Sequence, residues 1–174
     1  MHIHEILNEG REAPLYHGMR FGKAIWVFNN DILAAGWEHD IPGIGKVKGN
    51  SLSRNKLLRY GHIVLTLDQQ KISQTNKIVP VDGEYIHYLT KNSPLAQYAK
   101  DRKPVSVYGQ KRSSKHTLSE EFVIGDINPL HKYLLNVSFG EPDFGNDNPD
   151  KKEILRLIKF CQVYCTKWNI PFSK

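Results

Sequence analysis

The sequence predicts an α+β fold built on one small mixed sheet. Short β-branched runs recur along the chain, and His62-Ile63-Val64-Leu65-Thr66-Leu67-Asp68 and Leu134-Leu135-Asn136-Val137-Ser138-Phe139 each have the length of a strand. One or two helical patterns and several long loops interrupt them. Strands and helices do not alternate regularly, which argues against a doubly wound parallel sheet. A strongly amphipathic helix closes the chain: after Pro149, the residues Ile154, Leu157, Ile158, Cys161, Cys165 and Trp168 share one face.

Taken in order, Leu15-Tyr16-His17-Gly18 reads as a short strand ending in a turn. Ala24, Ile25, Phe28, Ile32 and Leu33 recur at helical spacing, which predicts a helix over 22–35 with Gly36 as its stop. The stretch 40–45 is rich in turn formers, and Gly43-Ile44-Gly45-Lys46 lacks the spacing and the Ser/Thr of a phosphate loop, so it reads as a turn. Residues 50–54 read as extended and 55–60 as a short helix. Lys77-Ile78-Val79-Pro80-Val81 predicts an edge strand, because Pro80 has no N–H to give a ladder. Ser93 caps a predicted helix to Lys100, with Pro94 at its first position. Glu121-Phe122-Val123-Ile124 predicts a strand, followed by a turn over 125–129. The domain reading is a single domain over 1–174, divided into an N-terminal extension (1–14), a core (15–139), a linker loop (140–148) and a C-terminal helix with its tail (149–174).

At 174 residues, with 40% apolar and 24% charged residues, the chain has the composition of one globular domain with a proper core. No run approaches the roughly 20 apolar residues of a membrane span. The first seven residues, Met1 to Leu7, lack the pattern of a secretory signal, so a cytoplasmic location is expected and no membrane partner. Cys161 and Cys165 lie four apart on one helical face, a spacing that suits two buried thiols better than a disulfide or a zinc site. The histidines show no metal-ligand spacing, so no metal is expected. The net charge of +6 favours an anionic partner.

Three segments have residue types suited to chemistry. In Leu15-Tyr16-His17-Gly18, a glycine after a strand histidine lets the backbone approach a flat ligand, and the imidazole can bond a sugar hydroxyl; the same residues also suit a plain strand end beside a turn. In Gly49-Asn50-Ser51-Leu52-Ser53-Arg54-Asn55, Ser51 and Ser53 point one way if the segment is extended, and Arg54 suits a diphosphate. The alternative is a polar strand end feeding a helix. In Ser119-Glu120-Glu121-Phe122-Val123-Ile124, Glu120 and Glu121 face opposite sides, so one of them can enter a cleft and stabilise an oxocarbenium ion; otherwise the pair only solubilises a strand start.

The ordered set Leu15-Tyr16-His17-Gly18, Ser51-Leu52-Ser53-Arg54 with Tyr60-Gly61, and Glu120-Glu121-Phe122-Val123-Ile124-Gly125-Asp126-Ile127 resembles ADP-ribosyltransferases of phage and bacterial origin, from about Leu15 to Phe139. The resemblance implies a split, mixed β-sheet core with peripheral helices around an NAD cleft, to which the C-terminal helix is an addition. It implies Glu121 as the catalytic carboxylate, and His17, Gly18, Ser51, Ser53, Arg54 and Tyr60 as the residues that hold NAD, the co-substrate. Ser119 stands two before Glu121, so the Glu-x-Glu pattern associated with arginine acceptors is absent.

The implied function is cleavage of the nicotinamide–ribose bond and transfer of ADP-ribose to a macromolecule. Between Lys103 and His116 the chain carries Lys103, Lys111, Arg112 and Lys115 with no acidic residue but one tyrosine, Tyr108. In the family the loop before the catalytic glutamate helps choose the acceptor, so Tyr108, Lys111, Arg112 and Lys115 are expected to bind it, nucleic acid slightly ahead of protein. The location would then be a host-cell cytoplasm for a phage-encoded chain. The alternative is a catalytically silent relative, a phage accessory or virion component, that grips nucleic acid or a protein partner.

Overall fold

The computed structural model describes residues 14–41, 45–53, 61–79, 120–141 and 149–174. Within these lie eight strands: β1 (Leu15–Met19), β2 (Trp37–Ile41), β3 (Gly45–Ser53), β4 (Ile63–Leu67), β5 (Ile78–Val79), β6 (Glu120–Ile124), β7 (Leu134–Phe139) and β8 (Phe172–Ser173). Three helices accompany them: α1 (Phe21–Asn30), α2 (Gln69–Ile72) and α3 (Lys151–Trp168). The strands form one sheet in the order β5-β6-β3-β1-β4-β7-β8, with β2 paired to β3 off that path. Only the β7–β8 pair is parallel. The chain is therefore a mixed α+β structure on a mostly antiparallel sheet.

Alternation along the strands sorts their side chains onto two faces. On one face Leu15, Met19, Ile63, Leu65, Leu67, Leu52, Val123 and Val137 join the core cluster that α1 and α3 cover with Ala24, Val27, Phe28, Leu157, Cys161 and Cys165. Phe28 meets Tyr164 with ring centroids 4.6 Å apart, which ties the two helices together. The apolar stripe of α3 is buried at Leu157, Ile158, Cys161 and Cys165, and Tyr164 belongs to it too. Asp150 caps this helix through a capping box with Glu153. Both thiols are free and buried, which raises their pKa, to about 12 for Cys161 and about 11 for Cys165.

The helix expected over 22–35 stops earlier, at Asn30. Asp31 turns left-handed at φ 53° and gives its N–H to the Val27 carbonyl, and Leu33 then exchanges backbone hydrogen bonds with Ile127. Asp31 is also a junction. Its carboxylate accepts from the Tyr164 hydroxyl, from Nδ1 of His131 and from the His131 N–H at 2.9 Å, while its carbonyl accepts from the N–H of Leu130. The His131 ring lies flat on Trp168, at 3.7 Å and 4°. One aspartate thus joins the end of α1, the 3-10 turn at Leu130–Lys132 and α3.

Other expectations on the loops are corrected. Asp40 and Ile41 belong to β2 and Gly45 and Lys46 to β3, not to a turn, because the two strands pair from Trp37↔Gly49 to Ile41↔Gly45. Among the described residues, β5 stands at one end of the sheet order, the edge position expected of the strand near Pro80. The helices expected over 55–60 and 93–100 lie outside the described residues, as does most of the linker.

Candidate functional site

The three segments singled out in the sequence lie on three adjacent strands. β3 is the middle one: Tyr16 of β1 pairs with Ser53, and Glu121 of β6 pairs with Leu52. Directly paired residues share a face, and neighbours alternate. His17, Leu52 and Glu121 therefore face the same side of the sheet, the side that carries α1. Two strand spacings, roughly 10 Å between backbones, separate His17 from Glu121. Leu52, 1% exposed, stands between them as part of the core.

His17 is held from both ends. Nδ1 lies 3.2 Å from the Ser51 carbonyl oxygen, and Nε2 lies 3.3 Å from Nζ of Lys23. A carbonyl can only accept and an ammonium can only donate. The neutral imidazole with its proton on Nδ1 satisfies both, leaving a lone pair on Nε2. Burial, and then the charge of Lys23, lower the His17 pKa to about 3, against a weaker opposing effect of the Ser51 hydrogen bond. His17 is thus an acceptor at neutral pH, oriented by the backbone of the second motif. Gly18 follows it in β1, opposite Val64.

Glu121 is completely buried. Its neighbour Glu120 pairs with Ser53. The serines also divide from the histidine. Ser51 and Ser53 share the face opposite to His17 and Glu121, so Ser51 meets His17 through its carbonyl and not its hydroxyl. Arg54, Tyr60, Tyr108, Lys111, Arg112 and Lys115 lie outside the described residues.

Two side chains support the site without having been singled out in the sequence. Asn50, 1% exposed, directs its amide to the carbonyls of Leu33 and Gly125, at 3.4 and 3.5 Å. This holds the α1–β2 connection and the end of β6 against β3. Lys23 is the other. Partial desolvation lowers its pKa, which disfavours the charged ammonium there. The available signal was the short step from β1 to α1: one residue, Arg20, separates them, so the first turn of the helix must return over the strand end.

Among the described residues, no three His, Cys, Asp or Glu side chains group so as to hold a metal ion. No helix there is long and apolar enough to cross a membrane. Comparison with protein-family models, with curated proteins and with solved structures finds no match.

Proposed function

We propose that the chain is an NAD-dependent mono-ADP-ribosyltransferase acting on a macromolecular acceptor, nucleic acid ahead of protein. The observation that carries this reading is the placement of His17 and Glu121 on one face of the sheet, two strands apart, with Leu52 of β3 between them. In this reading NAD lies along the end of β1 at His17 and Gly18, and its nicotinamide ribose approaches Glu121. A ribose hydroxyl donates to Nε2 of His17, displacing Lys23, whose ammonium turns to the diphosphate. As the bond from ribose C1′ to the nicotinamide nitrogen breaks, its electron pair leaves with neutral nicotinamide. The Glu121 carboxylate offsets the positive charge left on the ribose. The acceptor's nucleophilic atom then bonds C1′ and gives up its proton to solvent water.

The resemblance of the ordered motifs to ADP-ribosyltransferases supports the same reading. The complete burial of Glu121 favours a second one, a protein that keeps the arrangement without turnover and serves as a binding protein. Incubation with NAD labelled in the adenylate half, in the presence of a cell lysate, separates them. Label that becomes attached to macromolecules, and is released by nuclease, supports transfer to nucleic acid. Release by protease alone moves the acceptor to protein, and no attachment with no free nicotinamide removes the enzyme reading.

A further inference from the structure

The C-terminal helix carries a charge pattern that the sheet site does not use. Residues 149–174 hold six cations, Lys151, Lys152, Arg156, Lys159, Lys167 and Lys174, against the two carboxylates Asp150 and Glu153: +4 of the chain's +6. Both carboxylates are engaged in the capping box at the start of α3. At 3.6 residues per turn, Lys152, Arg156, Lys159 and Lys167 fall within an arc of about 80°. All four are exposed, on the side away from the buried Leu157, Cys161 and Tyr164. Lys152, Arg156 and Lys159 make no ion pair among the described residues. Like charges three and four apart repel by a few tenths of a kcal/mol per pair. The arrangement therefore works slightly against the helix, and an anionic partner would relieve it.

We infer that this face of α3 is a docking surface for the phosphate backbone of a nucleic acid. Fifteen residues separate Lys152 from Lys167, a line of about 22 Å at 1.5 Å per residue. That is some six phosphate steps along one strand at 3.4 Å each. A membrane surface fits less well. An interfacial helix turns its apolar stripe to the lipid, whereas that of α3 is buried on the sheet and α1, and the apolar residues left outside are Leu155 and Val163, 58% and 63% exposed. The inference is independent of the NAD reading, since docking needs neither NAD nor Glu121.

The test is fluorescence anisotropy of a labelled 20-base-pair duplex, and of a 20-nucleotide single strand, titrated with the full chain. Four phosphate contacts would weaken binding to the duplex about a hundredfold between 50 and 200 mM salt. Replacing Lys152, Arg156 and Lys159 together by Gln, which keeps helix propensity, should cut affinity at 50 mM salt at least tenfold and flatten the salt slope by about 2.7. Circular dichroism of the variant should be unchanged. Lys46→Gln/Lys48→Gln, a neutralisation on the β2–β3 pair, should leave affinity within twofold. Wild-type affinity and slope in the triple variant would overturn the proposal. So would an equal loss in the β2–β3 variant, or binding to phosphatidylserine vesicles in place of either nucleic acid.

Discussion

Nζ of Lys23 stands 3.3 Å from Nε2 of His17, and this contact sets which imidazole nitrogen carries the proton. With the Ser51 carbonyl on the other nitrogen, protonation of His17 would place a cation against a cation and a donor against a donor. The ring is consequently a fixed hydrogen-bond acceptor, and its behaviour against pH follows.

In the folded chain the His17 pKa lies near 3, below its ordinary value of 6.5. Between these values the unfolded chain binds a proton that the folded chain does not. The contribution of His17 to stability is complete above pH 6.5 and is lost as the pH falls towards 3, at up to about 1.4 kcal/mol per pH unit. Urea unfolding from pH 7 to 4 should show this slope, and His17→Gln should flatten it. An acid profile unaltered by the substitution would contradict the assigned environment.

Lys23→Met should raise the His17 pKa, because one of the two effects that lower it is removed. Burial, the larger one, remains, so the value should stay below 6.5. Proton NMR of the imidazole ring against pH measures the change directly. If the titration does not move, the lysine does not sit on Nε2 in solution.

Glu121→Gln should keep the fold and lower nicotinamide release from NAD by about 10²–10³, the usual cost of removing one preorganised electrostatic stabiliser. Glu120→Gln should change it little, since Glu120 holds the next register position, opposite Ser53 and not Leu52. Comparable losses in both variants would mean that the strand's acidity, not one placed carboxylate, matters.

Asp31→Ala should destabilise the chain by about 2–4 kcal/mol, leaving the Tyr164 hydroxyl and the His131 ring without their shared acceptor. Tyr164→Phe should cost less, about 1 kcal/mol, because the aspartate retains His131. Thermal and denaturant melts of the two single variants and the double variant would expose their coupling. Strict additivity would show that the three groups do not act as one junction.

Gly49→Ala should be destabilising by about 1–3 kcal/mol. A Cβ there would stand 2.3 Å from the Val123 carbonyl oxygen and 2.6 Å from the Phe122 ring, so β3 and β6 would have to separate. Gly36→Ala is the control, with no atom closer than 4.0 Å to the new carbon. Equal melting temperatures for the two variants would remove the packing argument.

By itself the sequence determined the elements whose pattern is local. Ile63–Leu67 and Leu134–Phe139 are β-branched or apolar enough to be strands in almost any surroundings, and α3 has both its stripe and its cap within one segment. The same locality made His17, Ser51 and Glu121 visible as candidates. Tertiary structure decided the rest. Trp37-Glu38-His39-Asp40-Ile41 lacks a strand's composition and becomes β2 because β3 lies beside it. The helix over 22–35 keeps its periodicity to Leu33, but Ile127 and the Asp31 junction capture its last turn, through residues about a hundred positions away. Ser51 meets His17 through a carbonyl, and Lys23 joins it, because strand register and the return of α1 choose partners that no residue type announces. Local propensity is written in neighbouring side chains, whereas register and junctions arise only when distant segments compete for the same hydrogen bonds and the same buried space.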